Sequence, residues 1–172
     1  MKHASLAIVL AVLATACGSD STTTPTPTAS ANPTFTAVLL PSNETPPIAN
    51  AESTASGNVT ITFVTTKDAN GVVTSAVGTA VVTMQGFQPT SAITLAHIHT
   101  GIAGVAGPVL INFLPPTPPL LPVNGAATFN QTSNITGTDA NNIMSAPAGF
   151  YFNVHTQLNP GGVMRGQLVR TQ

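Results

Sequence analysis

Three histidines carry most of the chemistry this chain could perform: His97 and His99 in Ala96-His97-Ile98-His99, and His155 in Asn153-Val154-His155-Thr156. Both stretches read as strands, and period-two alternation sets His97 and His99 on one face with Ile98 on the other. Neutral imidazole is a good ligand for copper or zinc. The pair could therefore share one ion, and His155 could complete a triad if its strand lies alongside. Three such ligands with an open fourth position suit transport or catalysis better than a closed structural site. The plainer assignment is that the imidazoles bond to backbone carbonyls and to Asn153, Glu44 or Arg165, stiffening a polar corner between sheets.

Glu44 and Arg165 stand out because charge is scarce. Only 4 Lys and Arg and 5 Asp and Glu occur in 172 residues. Arginine presents a fixed fork of donors that matches a carboxylate, so the two are expected to pair and clamp the N-terminal to the C-terminal strands. The other possibility is that they line a ligand site beside the histidines. So few cations leave no basic stripe to neutralise phosphates, which argues against nucleic acid as a partner. No serine sits in a Gly-x-Ser-x-Gly elbow and acidic partners are few, so a hydrolase is not expected. Gly101, Gly104 and Gly107 are followed by neither a helix start nor a lysine, and read as loop geometry, not as a phosphate cradle.

The elements that must position these residues are β-strands. From Thr34 onward, short β-branched runs alternate with turn residues, the pattern of a sandwich or barrel. Eight strands are expected: Phe35–Leu40, Ser56–Thr65, Val72–Met84, Ala92–His99, Val109–Phe113, Gly125–Gln131, Phe150–Thr156 and Val163–Val169. Asp68-Ala69-Asn70-Gly71 supplies hairpin chemistry between the second and third. Leu114–Val123, with five prolines, is expected to be an exposed apolar loop or edge crossing, because proline lacks the ladder N–H. Asp139–Ser145 could form one short helix with Thr138 as its N-cap.

The first 33 residues have a different character. Met-Lys-His followed by an apolar run of about 13 residues matches an export signal and falls short of a membrane span of about 20. The run ends Leu13-Ala14-Thr15-Ala16-Cys17, which resembles a bacterial lipobox; that resemblance implies a signal peptide over 1–16 and lipidation of Cys17. An ordinary signal peptide with an incidental cysteine satisfies the same grammar. As the single thiol of the chain, Cys17 excludes an intramolecular disulfide. The Ser/Thr/Pro-rich stretch that follows, to residue 33, cannot bury a face and suits a spacer that holds the 34–172 domain away from a membrane.

Three blocks bring a family into view. They are Phe35-Thr36-Ala37 with Asn43-Glu44-Thr45-Pro46-Pro47 and Ser56-Gly57; Ala96 to Gly101 with Gly107-Pro108-Val109; and Gly149 to Thr156 with Pro160-Gly161-Gly162 and Arg165-Gly166-Gln167-Leu168. In order and spacing, Phe35 to about Leu168 resembles the chordin-like CHRD domain. Gly162-Val163-Met164 departs from the family pattern, which often places an acidic and an aliphatic residue before Arg-Gly, and the proline-rich loop reads as an insertion. The resemblance implies an all-β fold, an immunoglobulin-like or Greek-key antiparallel sandwich, secreted or surface-attached and generally without assigned enzymatic activity. A shorter likeness joins His97-Ile98-His99 to the His-x-His strand of copper/zinc superoxide dismutase.

The leading expectation is thus a non-enzymatic cell-envelope lipoprotein, facing the periplasm or the cell exterior. Its sandwich would bind an envelope protein or glycan or serve a structural role, including self-assembly through edge strands or the proline-rich loop, with Glu44, Asn153, Arg165 and the histidines maintaining it. The competing expectation is a copper or zinc site built from His97, His99 and His155, with dismutase-like chemistry as its remote extension.

Overall fold

The computed structural model describes residues 32–113 and 117–172. The expected signal peptide, Cys17 and nearly all of the tether lie outside the described residues.

Among the described residues, nine strands form two antiparallel sheets: β1 (Thr34–Leu39), β2 (Ser56–Lys67), β3 (Val73–Gln85), β4 (Ile93–Thr100), β5 (Val109–Asn112), β6 (Ala127–Thr136), β7 (Phe150–Thr156), β8 (Met164–Gln167) and β9 (Val169–Arg170). One sheet runs β6-β3-β2-β1-β9 and the other β5-β4-β7-β8. This is the expected all-β sandwich. Strict alternation builds its core: Phe35, Ala37 and Leu39 from β1 and Val59, Ile61 and Phe63 from β2 meet Ala96 and Ile98 from β4 and Phe150, Phe152 and Val154 from β7.

The five-stranded sheet follows the ordinary rule of one buried and one wet face, and β2 reads buried, exposed, buried along most of its length. The four-stranded sheet does not. Every residue of β7 is buried, polar and apolar alike. Its outer face, which carries His97, His99, Tyr151, Asn153, His155 and Arg165, is covered by the β1–β2, β4–β5 and β7–β8 loops, whose hydrogen bonds to these side chains are described below.

Three expectations need correction. The last expected strand, Val163–Val169, is two strands in different sheets. Leu168 turns into the core, its N–H bonds to Phe150 O at 3.0 Å, and β9 leaves to pair with β1. The helix, α1, spans Gly137–Ser145, and its N-cap is Thr136, not Thr138; Thr136 Oγ1 accepts from the Asp139 N–H at 3.1 Å and donates to Asp139 Oδ2 at 2.7 Å. Within the proline-rich segment, the described residues 117–123 are not uniformly exposed. Leu120 exchanges backbone hydrogen bonds with Ile93 at 2.8 and 3.2 Å and packs on the core.

Candidate metal centre

Pairing of β4 with β7 sets His97 opposite Asn153, His99 opposite Tyr151 and Leu95 opposite His155. His97 and His155 are therefore diagonal neighbours on one face, a separation that long side chains span. His97 Nδ1 lies 3.1 Å from His155 Nε2. One nitrogen from each of His97, His99 and His155 lies within 4.8 Å of the other two. The rings are nearly enclosed, at 7, 8 and 6 % exposure.

The second nitrogens of His99 and His155 are fixed by the covering loops. His99 Nδ1 donates to Gly107 O and His155 Nδ1 to Pro160 O, each at 2.9 Å. A carbonyl accepts only from N–H, so both rings hold the proton on Nδ1 and present Nε2 as a lone pair. This is the outer support that metal-bound imidazoles receive. Around a tetrahedral zinc with bonds of 2.0–2.1 Å, ligand nitrogens stand about 3.3 Å apart. The His97–His155 pair is already close to that spacing, provided His97 moves to Nε2 the Nδ1 proton that it donates to His155 Nε2, and His99 would close from at most 4.8 Å.

His99 Nε2 is buried and has no hydrogen-bond partner among the described residues. An orphaned acceptor of this kind costs about 1–3 kcal/mol unless something fills its lone pair. Burial, first of all, lowers the basicity of all three rings. His97 is pushed down to about 4, with further contributions from His155 and His99. His99 and His155 are also lowered, against a partial rise from their carbonyl partners. The three imidazoles are therefore neutral at physiological pH, the form that binds metals.

Tyr151 stacks on His99, with centroids 4.8 Å apart and planes 6° apart, and the Arg165 guanidinium lies 4.7 Å over the Tyr151 ring. Arg165 is held by Asn43 O at 2.6 Å, by Val105 O at 3.3 Å and by Thr45 Oγ1. Its contact with Glu44 Oε2 is 3.8 Å, through Nε. The expected pairing thus occurs, but the fork is spent on loop oxygens and is not bidentate on the carboxylate. Glu44 takes its short bond from Asn153 Nδ2 at 2.7 Å. Burial raises the Glu44 carboxyl to about 7, against the lowering pull of Arg165 and its hydrogen bonds. Glu44, Asn153 and Arg165 form one network that pins the β1–β2 loop to β7 and β8, and none of them bonds to a histidine, contrary to one of the roles expected for them.

Three residues in or around the site were not legible as such. Tyr151, the single tyrosine, orders His99. Gly107 both receives His99 and meets the Tyr151 hydroxyl through its N–H at 3.2 Å; a Cβ there would lie 1.7 Å from Thr100 O, so only glycine fits. Glu52 is fully buried, and its Oε2 accepts from Thr156 Oγ1 and Asn159 Nδ2, each at 2.6 Å. The scarcity of acidic residues was the available signal for Glu52, and its neighbours in sequence, Ala51 and Ser53, gave none.

Two clefts flank the centre. One, of about 400 Å³, lies between Ser42–Thr45 and Gly104 over Arg165; the other, of about 530 Å³, lies between Pro46–Asn50 and Leu158–Gly162. The imidazoles line neither.

Comparison with known proteins agrees with the resemblance read from the sequence blocks. Neither the curated proteins nor the solved structures compared with the chain include a match. The family model for the CHRD domain matches residues 35–168, which contain both sheets apart from the first residue of β1 and the short strand β9, together with all the residues of the centre. The chain belongs to the CHRD domain family.

Proposed function

We propose that this protein is an exported envelope module, held at a membrane through lipidated Cys17, whose β-sandwich binds one copper or zinc ion through His97, His99 and His155 without catalysis of its own. The observation that carries the metal reading is the buried, unpartnered Nε2 of His99, held beside the other two imidazoles while its Nδ1 is spent on Gly107 O. Among the described residues no side chain satisfies that lone pair, and an ion held by all three imidazoles would.

The alternative, that the imidazoles serve only the architecture of a binding module, draws support from the direct His97–His155 contact, which occupies one nitrogen of each ring without an ion. It leaves His99 Nε2 unexplained. Placement outside the cytoplasm rests on the apolar run before Cys17 and the spacer after it.

The test is metal analysis and titration with Zn(II), Cu(II) and, under anaerobic conditions, Cu(I) of the protein purified without a histidine tag. One equivalent of tightly bound ion, lost in the His97→Ala/His99→Ala/His155→Ala variant, is expected. A folded parent that binds neither copper nor zinc would rule out the metal reading and leave the architectural one.

A further inference from the structure

We propose that the ion this centre selects is monovalent copper in preference to a divalent ion, a step that rests on the metal-binding reading above. Three observations favour the lower charge. The first is that all three donors are neutral. Among the described residues no carboxylate joins the cluster; Glu44 is turned to Asn153 and Arg165, and Glu52 to Thr156 and Asn159.

The second is burial. The cost of taking an ion out of water grows with the square of its charge, so a divalent ion loses about four times as much hydration as a monovalent one of similar size. Neutral ligands return little of that difference in a site where the rings are at most 8 % exposed. Histidine-only zinc sites commonly recover it by binding water or hydroxide at an open position. Here the β4–β5 and β7–β8 loops close over the rings, and neither flanking cleft reaches them.

The third is a fixed cation. In the order β4-β7-β8, Tyr151 lies between His99 and Arg165, and the two separations across its ring are 4.8 and 4.7 Å. The guanidinium therefore stands one aromatic layer from a ligand, and it repels a divalent ion twice as strongly as a monovalent one. Glu44 offsets that field only in part, because the carboxylate touches Arg165 through a single 3.8 Å contact. Imidazole itself accepts copper and zinc alike, and on donor type alone Cu(II) would outbind Zn(II). Charge is what reverses the preference.

The experiment is an anaerobic competition titration of the tag-free protein, with Cu(I) supplied from a chromophoric chelator and with Zn(II) and Cu(II) competed against chelators of matched strength. One equivalent of Cu(I) is expected, bound at least 100-fold more tightly than either divalent ion. Glu44→Gln, which keeps an acceptor for Asn153 but removes the charge that offsets Arg165, is measured at pH 8. It is expected to weaken Zn(II) about tenfold and Cu(I) about threefold, since the effect on a divalent ion is the square of that on a monovalent one. Zn(II) or Cu(II) binding as tightly as Cu(I), or equal losses for Zn(II) and Cu(I) in Glu44→Gln, would overturn the preference while leaving a metal centre. A folded protein that binds none of the three ions would overturn the centre itself.

Discussion

His97 Nδ1 lies 3.1 Å from His155 Nε2, although the two residues are 58 positions apart in the chain. The contact exists because β4 and β7 pair, and it brings together two of the three nitrogens an ion would need. Metal should therefore stabilise the fold. At one hundred times the dissociation constant, linkage supplies about 2.7 kcal/mol, or roughly 10 °C in Tm for a domain of this size. Thermal melts with and without a chelator should show that gap in the parent and its collapse in His155→Ala. A melt insensitive to metal in the parent would contradict the reading.

Acid should weaken the ion-free fold. Burial lowers the basicity of His97 to about 4 and also lowers that of His99 and His155. Below about pH 6.5 the unfolded chain binds protons that these rings resist, down to about 4 in the case of His97, so their contribution is complete above 6.5 and falls as pH drops. His97 alone contributes on the order of 3 kcal/mol across that range. Glu44 acts in the opposite sense, because its carboxyl takes up a proton near 7 in the fold and near 4.5 when unfolded. In Glu44→Gln, where that opposing group is gone, Tm measured from pH 7 to 5 should fall, and adding His97→Ala should flatten the slope; a Tm that rises toward pH 5 in Glu44→Gln would show that the imidazoles are not held neutral.

How much of this was readable without coordinates depends on range. Alternation in Ala96-His97-Ile98-His99 fixes which side chains share a face, and the β-branched runs locate the strands, because both are set by neighbours one or two residues away. The meeting of His155 with that pair depends on β4–β7 register, which no local pattern encodes. The break at Leu168 is hidden for a related reason: Leu168-Val169 after Gln167 reads as one strand continuing, and only the core that Leu168 enters redirects the backbone. Thr138 reads as the helix cap because it directly precedes Asp139, and nothing local points further back; the Thr136 hydroxyl sets the true start by accepting from the Asp139 N–H.

Gly107 should be intolerant of any side chain. A Cβ would meet Thr100 O at 1.7 Å, and relief of that clash moves the carbonyl that orients His99. Gly107→Ala is expected to destabilise by about 2–4 kcal/mol and, in whatever remains folded, to weaken metal binding by roughly 10–100-fold, the usual effect of losing such support. Unchanged affinity in a folded variant would separate the loop from the centre.

Glu52 should matter to folding and not to metal. Its removal leaves Thr156 Oγ1 and Asn159 Nδ2 buried without their acceptor, so Glu52→Ala is expected to cost about 3 kcal/mol in chemical denaturation. Stoichiometry of bound ion in the folded fraction should stay at one. Loss of the ion with little loss of stability would place Glu52 in the centre instead.

Glu44 provides the sharpest test of the buried network, because replacing it should help the protein in one pH range only. Above about pH 7 the carboxylate is ionised in a place where burial disfavours its charge, and the single 3.8 Å contact with Arg165 does not fully compensate. Glutamine keeps an oxygen for Asn153 Nδ2 and adds an N–H₂ that can serve Asn153 Oδ1, which is buried without a partner. Between pH 5 and pH 8, the stability of Glu44→Gln relative to the parent should therefore shift in favour of the variant by about 2–3 kcal/mol. Urea denaturation at the two pH values measures that shift directly. A difference that stays constant would mean that Glu44 ionises in the fold as it does in water, with the Arg165 contact offsetting the whole cost of burial.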